Sequence, residues 1–153
     1  MSLSLEQEIG LIGLARGNNS LSYKGVSKRQ PILRERAEQV TLINWANETM
    51  FEGVLIGEYL THVANEGKRG PQARKDFIEL GGRAGYPDLI LDIPTARYPG
   101  LRIEMKAPEP YDSAVTPEQY AWHEKLRARG YRVEVCRGFE EAKELIMDYL
   151  VNK

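Results

Sequence analysis

The chain has 153 residues, 42% of them hydrophobic, and a net charge of −1 at pH 7. That length suits one domain with its own core, and the near-neutral balance excludes attraction of nucleic acid by the overall field, so any such contact must use local basic patches. The single Cys136 excludes an intrachain disulfide framework; no apolar run approaches the roughly 20 residues of a membrane span, no signal peptide is evident, and a cytoplasmic location is expected.

Residues 1–30 are expected to form an N-terminal basic arm or tail. Leu5, Ile9 and Ile12 make a weak helical pattern that Gly17-Asn18-Asn19-Ser20 breaks. Lys24, Lys28 and Arg29 make the next stretch basic. A DNA-contacting arm, a dimer-exchange arm and a plain tail all fit this composition. Residues 31–153 are expected to form one domain.

From Pro31 to Met50 the spacing predicts a helix, with Pro31 in its first turn. Leu33, Ala37, Val40 and Ile43 or Asn44 make one stripe; Glu38, Leu42 and Trp45 make an adjacent one. Glu38 reads either as a solvated flank residue or as an acid leaning towards a site. Residues 51–64 are mixed, with a strand expected around Tyr59–Ala64. A turn-like basic loop follows, then a helix over Pro71–Leu80 that Gly81-Gly82 stops. Lys68, Arg69, Arg74, Lys75 and Arg83 cluster here. Such a cluster is normally a solvated face; next to an acidic strand pair it becomes a candidate for meeting phosphates.

Two strands come next, Tyr86–Leu91 and Leu101–Lys106, joined by a loop with two prolines and a glycine. Successive strand side chains alternate between faces. Asp88, Ile90 and Asp92 therefore share one face of the first strand, and Arg102, Glu104 and Lys106 one face of the second. Pairing Ile93 with Leu101 makes the apolar faces coincide and sets Asp88 on the face of Glu104 and Lys106. A slip of two residues preserves this arrangement, whereas a slip of one opposes apolar to polar side chains. Cross-strand neighbours lie roughly 5 Å apart when opposite and about 7–8 Å on the diagonal, close enough for two carboxylates to ligate one hard cation.

Those residue types suit phosphodiester hydrolysis. Mg²⁺ takes oxygen ligands, keeps several waters and uses one or two carboxylates. Bound metal polarises a phosphoryl oxygen and acidifies a coordinated water. Lys106 lands on the same face, where an ammonium can orient water or stabilise charge on phosphate. Met105 points to the apolar side, leaving its backbone carbonyl as a further ligand. The competing reading of Asp88, Glu104 and Lys106 is a surface salt-bridge group.

Thr116-Pro117-Glu118-Gln119 then marks a helix start, with Thr116 as N-cap and Gln119 at the capping-box position. The helix is expected to reach Arg129 and stop at Gly130. Gln119 reads as a capping residue or as a polar group facing the site. A strand over Tyr131–Cys136 and an amphipathic helix over Glu140–Leu150 close the chain. His62 and His123 lack zinc-like spacing and read as structural or surface residues.

This order resembles the PD-(D/E)xK nuclease fold, an α/β restriction-endonuclease-like core with a central mixed sheet flanked by helices. In detail it is similar to the virus-type replication-repair nuclease (VRR-NUC) domain. The residues that carry the likeness are Glu38, Asn65-Glu66-Gly67-Lys68-Arg69, Gly85-Tyr86-Pro87-Asp88-Leu89, Gly100-Leu101-Arg102-Ile103-Glu104-Met105-Lys106, Thr116-Pro117-Glu118-Gln119 with Trp122, and Gly130-Tyr131. They span roughly residues 34–150, and the ordered set is far more specific than an isolated Glu-x-Lys.

The resemblance implies Asp88 and Glu104 as ligands of Mg²⁺ or Mn²⁺ with the Met105 carbonyl beside them, and Lys106 as catalytic lysine. It implies Glu38 as a further acidic group that ligates directly or through water, and Gln119 as an orienting group. Small stand-alone members of that family are similar to Holliday-junction resolvases. The implied activity is a metal-dependent endonuclease acting as a homodimer on branched or four-way DNA. Two other readings keep the same fold: a non-catalytic module that holds branched DNA, and a sequence-specific restriction-type nuclease.

Overall fold

The computed structural model describes residues 29–64 and 70–152. Most of the expected N-terminal arm and the loop carrying Lys68 and Arg69 lie outside the described residues. The elements in order are α1 (Arg29–Glu48), β1 (Met50–Phe51), β2 (Val54–Leu55), a 3-10 turn (Ile56–Glu58), β3 (Leu60–His62), α2 (Pro71–Glu79), β4 (Leu89–Leu91), β5 (Leu101–Lys106), α3 (Pro117–Arg127), β6 (Arg132–Arg137) and α4 (Phe139–Val151).

Four strands make the main sheet in the order β3-β4-β5-β6. The first three run antiparallel, and β6 lies parallel to β5. A parallel pair needs a crossover, which α3 supplies. The sheet is therefore mixed and flanked by helices, as the sequence implied.

Strand β5 is central and buried along its whole length. Its apolar side chains Leu101, Ile103 and Met105 join Leu89 and Leu91 of β4, Leu42 and Ala46 of α1, and Ala142, Ile146 and Leu150 of α4 in one core. Truncating a fully buried leucine such as Leu101 to alanine should cost about 2–5 kcal/mol.

Leu91 pairs with Leu101 and Leu89 with Ile103, two residues away from the expected pairing of Ile93 with Leu101. The slip is even, so every side chain keeps its predicted face. Ile93 leaves the ladder because the Tyr149 hydroxyl donates to its carbonyl at 2.7 Å. In the observed register the next partner would be Pro99, which has no N–H to offer.

Helix α1 turns a different face inward than the first apolar stripe suggested. Leu42 and Ala46 are fully buried with Glu38 on the same face, while Leu33 is 50% and Val40 46% exposed. The helix carries apolar residues on both sides, so periodicity alone leaves its rotation undetermined. Small Ala46 lets the helix approach the core, and Ile43 and Trp45 pack at its edges.

The β1–β2 hairpin within residues 51–64 has no counterpart among the expected elements. Its turn uses Glu52 and Gly53 at φ of 48° and 81°, the positive-φ pair that a two-residue hairpin requires. Strand β4 starts only at Leu89, three residues after the predicted start at Tyr86; even so, the Asp88 carbonyl accepts the Val63 N–H at 2.8 Å beyond the end of β3. Helix α3 has the predicted capping box: Thr116 Oγ1 accepts the Gln119 N–H at 3.3 Å, and Gln119 Oε1 accepts the Thr116 N–H at 2.9 Å. Helix α2 differs from the others in burying none of its residues; only Phe77 is half-covered.

Candidate active site

Alternation on β5 puts Arg102, Glu104 and Lys106 on the face away from the core, and α3 packs over them. Asp88 stands just before β4, and extending the observed register sets it opposite Glu104. All of these side chains are buried: Glu104 is 0% exposed, Asp88 3% and Lys106 4%. A solvated salt-bridge group would be exposed, so that reading fails. Buried charges are costly unless paired and hydrogen-bonded, and the pairing here is extensive.

Asp88 Oδ2 accepts the backbone N–H of Met105 at 2.8 Å. This ties the Asp to the peptide that follows Glu104. The Met105 side chain lies in the core, so only its backbone borders the site. Glu104 Oε1 receives the Gln119 side-chain amide in a short hydrogen bond and lies 3.3 Å from Lys106 Nζ. Lys106 in turn donates to Gln119 Oε1 at 3.2 Å. Gln119 thus caps its own helix and bridges the glutamate and the lysine. The two sequence readings of Gln119 are both realised in one side chain.

One turn further along α3, His123 is buried, with Nε2 3.7 Å from Glu104 Oε2. Neither atom has a hydrogen-bond partner. By spacing to other ligand types His123 is a lone histidine, which is why the sequence gives it no place in the site. Its spacing of four from Gln119 is the available signal, because residues four apart share a helix face. Arg102, likewise without an expected role, donates to the Tyr86 hydroxyl at 3.3 Å and lies over the Tyr131 ring at 4.3 Å.

Glu38 enters from α1 with both oxygens engaged. Arg34 pairs with Oε1 at 2.8 Å, and the Phe139 N–H donates to Oε2 at 2.8 Å. Glu38 therefore caps the N-terminus of α4, where the chain turns through Gly138 at φ 91°. A carboxylate suits that position because the helix end presents unsatisfied N–H groups and a partial positive charge. His62 stands on the edge strand and meets the backbone of Asp88, with Nδ1 3.0 Å from Gln39 Nε2 and 3.1 Å from the Asp88 carbonyl. Arg74 and Lys75 project from α2 and are exposed; Lys75 faces Glu79 at 3.7 Å.

Among the described residues, no three His, Cys, Asp or Glu side chains are grouped closely enough to hold an ion by themselves. The acidic equipment is one carboxylate from each of two neighbouring chain segments. Glu104 Oε2 is a buried carboxylate oxygen without a donor, as a ligand awaiting a cation would be. Oxygen donors in this number fit Mg²⁺ or Mn²⁺, with water completing the shell.

A mixed sheet that presents an Asp, a Glu and a Lys on one face, with a glutamine from the crossover helix between them, defines the PD-(D/E)xK type of nuclease fold. Residues 30–140 match the VRR-NUC domain. A solved chain described as "VRR_NUC domain protein" is similar, with 34% sequence identity, a TM-score of 0.65, and coverage of 78% of this chain and 89% of that chain. No curated protein matches. The chain belongs to the VRR-NUC domain family and has a nuclease-type fold.

Proposed function

We propose that this chain is a metal-dependent endodeoxyribonuclease, selective for DNA structure and resembling Holliday-junction resolvases. The observation that carries the reading is a buried group at one sheet face, in which Glu104, Lys106 and Gln119 bond one another and Asp88 is tied to the Met105 N–H. Catalytic charges held in fixed positions need no reorganisation when charge develops on the phosphate.

Asp88 and Glu104 would hold Mg²⁺ or Mn²⁺, with the Met105 carbonyl as a backbone ligand. When bound, the ion supplies Lewis acidity and an acidified water. Asp88 is kept in place by the Met105 N–H, and Glu104 by Gln119 and Lys106. Lys106 Nζ, shared between Glu104 and Gln119, stands ready to orient the attacking water or offset charge on the phosphate. Gln119 is a positioning residue, since it acts through Glu104 and Lys106. Arg74 and Lys75 of α2, with Lys68 and Arg69 of the preceding loop, would meet backbone phosphates, which position DNA without reading its sequence. Glu38 serves the site indirectly, through the α4 cap that closes against the end of β5. No helix among the described residues is long and apolar enough to cross a membrane.

A homodimer suits a four-way junction, because two-fold symmetry presents two active sites to two equivalent strands. The test incubates the chain with labelled four-way junction, flap and linear duplex DNA in Mg²⁺, in Mn²⁺ and in chelator. Metal-dependent paired nicks at symmetric positions are expected on the junction. Binding without cutting would leave a DNA-binding module, and cutting of linear duplex at one short sequence would indicate a restriction-type enzyme.

A further inference from the structure

Between β4, α2 and α3 the structure has a cavity of about 440 Å³ whose lining includes none of the buried charged group. Its floor includes Ile90 of β4, and its walls are Phe77 of α2 with the following glycine turn, Tyr86, and Trp122 of α3; Arg83 stands in the lining as its charged member. We infer that this cavity seats one unpaired nucleobase of the DNA substrate, from a nucleotide at or next to the cleaved phosphodiester. The inference rests on the nuclease reading and narrows its substrate to DNA with a base outside the stack.

The position follows from alternation. Ile90 is two residues beyond Asp88 on the same face, and strands rise about 3.3 Å per residue, so the floor lies about 7 Å from the acidic residue. A strand whose phosphate reaches Asp88 therefore brings the sugar and base of the same or the neighbouring nucleotide over Ile90.

The chemistry selects the base over the other parts of a nucleotide. Three aromatic side chains and an aliphatic floor present mostly ring and aliphatic surface, with few donors for a phosphate or a sugar. They suit a flat ring with apolar faces, and aromatic platforms bind bases without regard to sequence. The cations stand where the backbone would run: Arg83 is exposed, its Nη1 donating to the Gly82 carbonyl at 3.0 Å, and Lys125 Nζ lies 4.9 Å from the Trp122 ring centroid.

The walls are preformed. Tyr86 and Trp122 brace one another with ring centroids 5.2 Å apart at 60°. Gly82 closes so tightly on Phe77 that an added Cβ would lie 2.2 Å from the ring. That approach accounts for the glycine and fixes the Phe77 wall. A base inside an intact duplex cannot reach such a cavity without leaving the stack, which costs a few kcal/mol and costs least where the base is already unpaired. Flaps and single strands meet that condition, and base pairs at an open branch point, stacked on one side only, come nearest to it.

The test uses the full chain in chelator and measures binding to a four-way junction, a flap, a single strand and a linear duplex of the same sequence. Trp122→Leu should weaken binding to the first three roughly 5- to 150-fold, the span of one missing base stack, and leave duplex binding unchanged. Trp122→Phe keeps a ring and should stay within about threefold of wild type. Placing an abasic nucleotide next to the mapped nick should reproduce the loss in wild type and add nothing in Trp122→Leu. Phe77→Leu, on a helix with no buried residue, repeats the measurement if Trp122→Leu fails to fold. Equal losses on duplex and branched DNA, or an abasic site without effect, would overturn the pocket. A wild-type chain that cuts with metal yet ignores these changes overturns the pocket alone. One that shows the base dependence but never cuts overturns the nuclease reading and keeps the pocket.

Discussion

Truncating Gln119 to alanine tests the network most directly. The side chain donates to Glu104 Oε1, accepts from Lys106 and accepts from the Thr116 N–H. Hydrogen bonds to charged groups contribute about 1.5–3 kcal/mol each. Glu104 and Lys106 still face each other at 3.3 Å after the change, and exposed Thr116 can turn to water. The net loss should therefore fall near the lower end of the pair of charged bonds, about 3 kcal/mol. With a urea dependence of about 1.5 kcal/mol per molar, the unfolding midpoint should drop by about 2 M. If Gln119 also aims Lys106, the cleavage rate should fall about 10²-fold with KM nearly constant, because small misplacements of reacting groups are costly. Urea unfolding by circular dichroism and single-turnover cleavage measure both effects on the same preparation. A midpoint within 0.3 M of wild type (about 0.5 kcal/mol) together with an unchanged rate would refute the bridging role.

Glu104→Ala and Asp88→Ala should abolish cutting while retaining most DNA binding, and Lys106→Ala should cut very slowly with Mn²⁺ still bound; gel cleavage with electron paramagnetic resonance of free Mn²⁺ checks all three. Glu38→Ala removes the cap on α4 and should destabilise by about 1–2 kcal/mol, lowering the thermal midpoint by about 3–6 °C; loss of Mn²⁺ affinity comparable to that of Asp88→Ala would instead make Glu38 a direct ligand. Charge reversal at Lys68, Arg69, Arg74 and Lys75 should weaken DNA binding and flatten the salt dependence by about 0.9 in log–log slope for each phosphate no longer neutralised; an unchanged slope would reduce the cluster to a solvated face. Burial, aided by Glu141 and Glu134, pushes the Cys136 thiol up from 9.0 to about 12. Between those values the unfolded chain has released a proton that the folded chain keeps, so this contribution is complete below pH 9 and is lost as pH rises. Cys136→Ala should flatten the alkaline fall in urea midpoint.

Much of this arrangement is legible in the sequence because β5 obeys a period of two without exception. Leu101, Ile103 and Met105 go to the core and Arg102, Glu104 and Lys106 to the site, and an even register slip leaves that division intact. The start of α3 is equally plain, since a capping box is a local device written in four residues. Elsewhere the deciding interactions are distant in sequence. The rotation of α1 depends on Ala46 meeting the core and Glu38 meeting the Phe139 N–H, 101 residues away. The Tyr149 hydroxyl ends the β4–β5 ladder from α4. The β1–β2 turn stays hidden because glutamate at positive φ is an uncommon choice. His123 looks isolated because its partner Glu104 lies on another element.

The strand that bears Glu104 and Lys106 is also an inner strand of the sheet, so the protein sets its most protected ground under groups that resist being dry. Replacing a buried charged cluster with well-packed apolar residues of similar volume is often neutral or stabilising by about 1–4 kcal/mol. If the proposed catalytic role holds, a descendant freed from it would gain stability by letting Glu104, Lys106 and Gln119 drift together towards leucine and methionine, while loss of any one alone would strand the others. Retired members of this fold should therefore betray themselves as a group: a smooth apolar strand in place of an alternating one, and an α3 that keeps its threonine cap but not its glutamine.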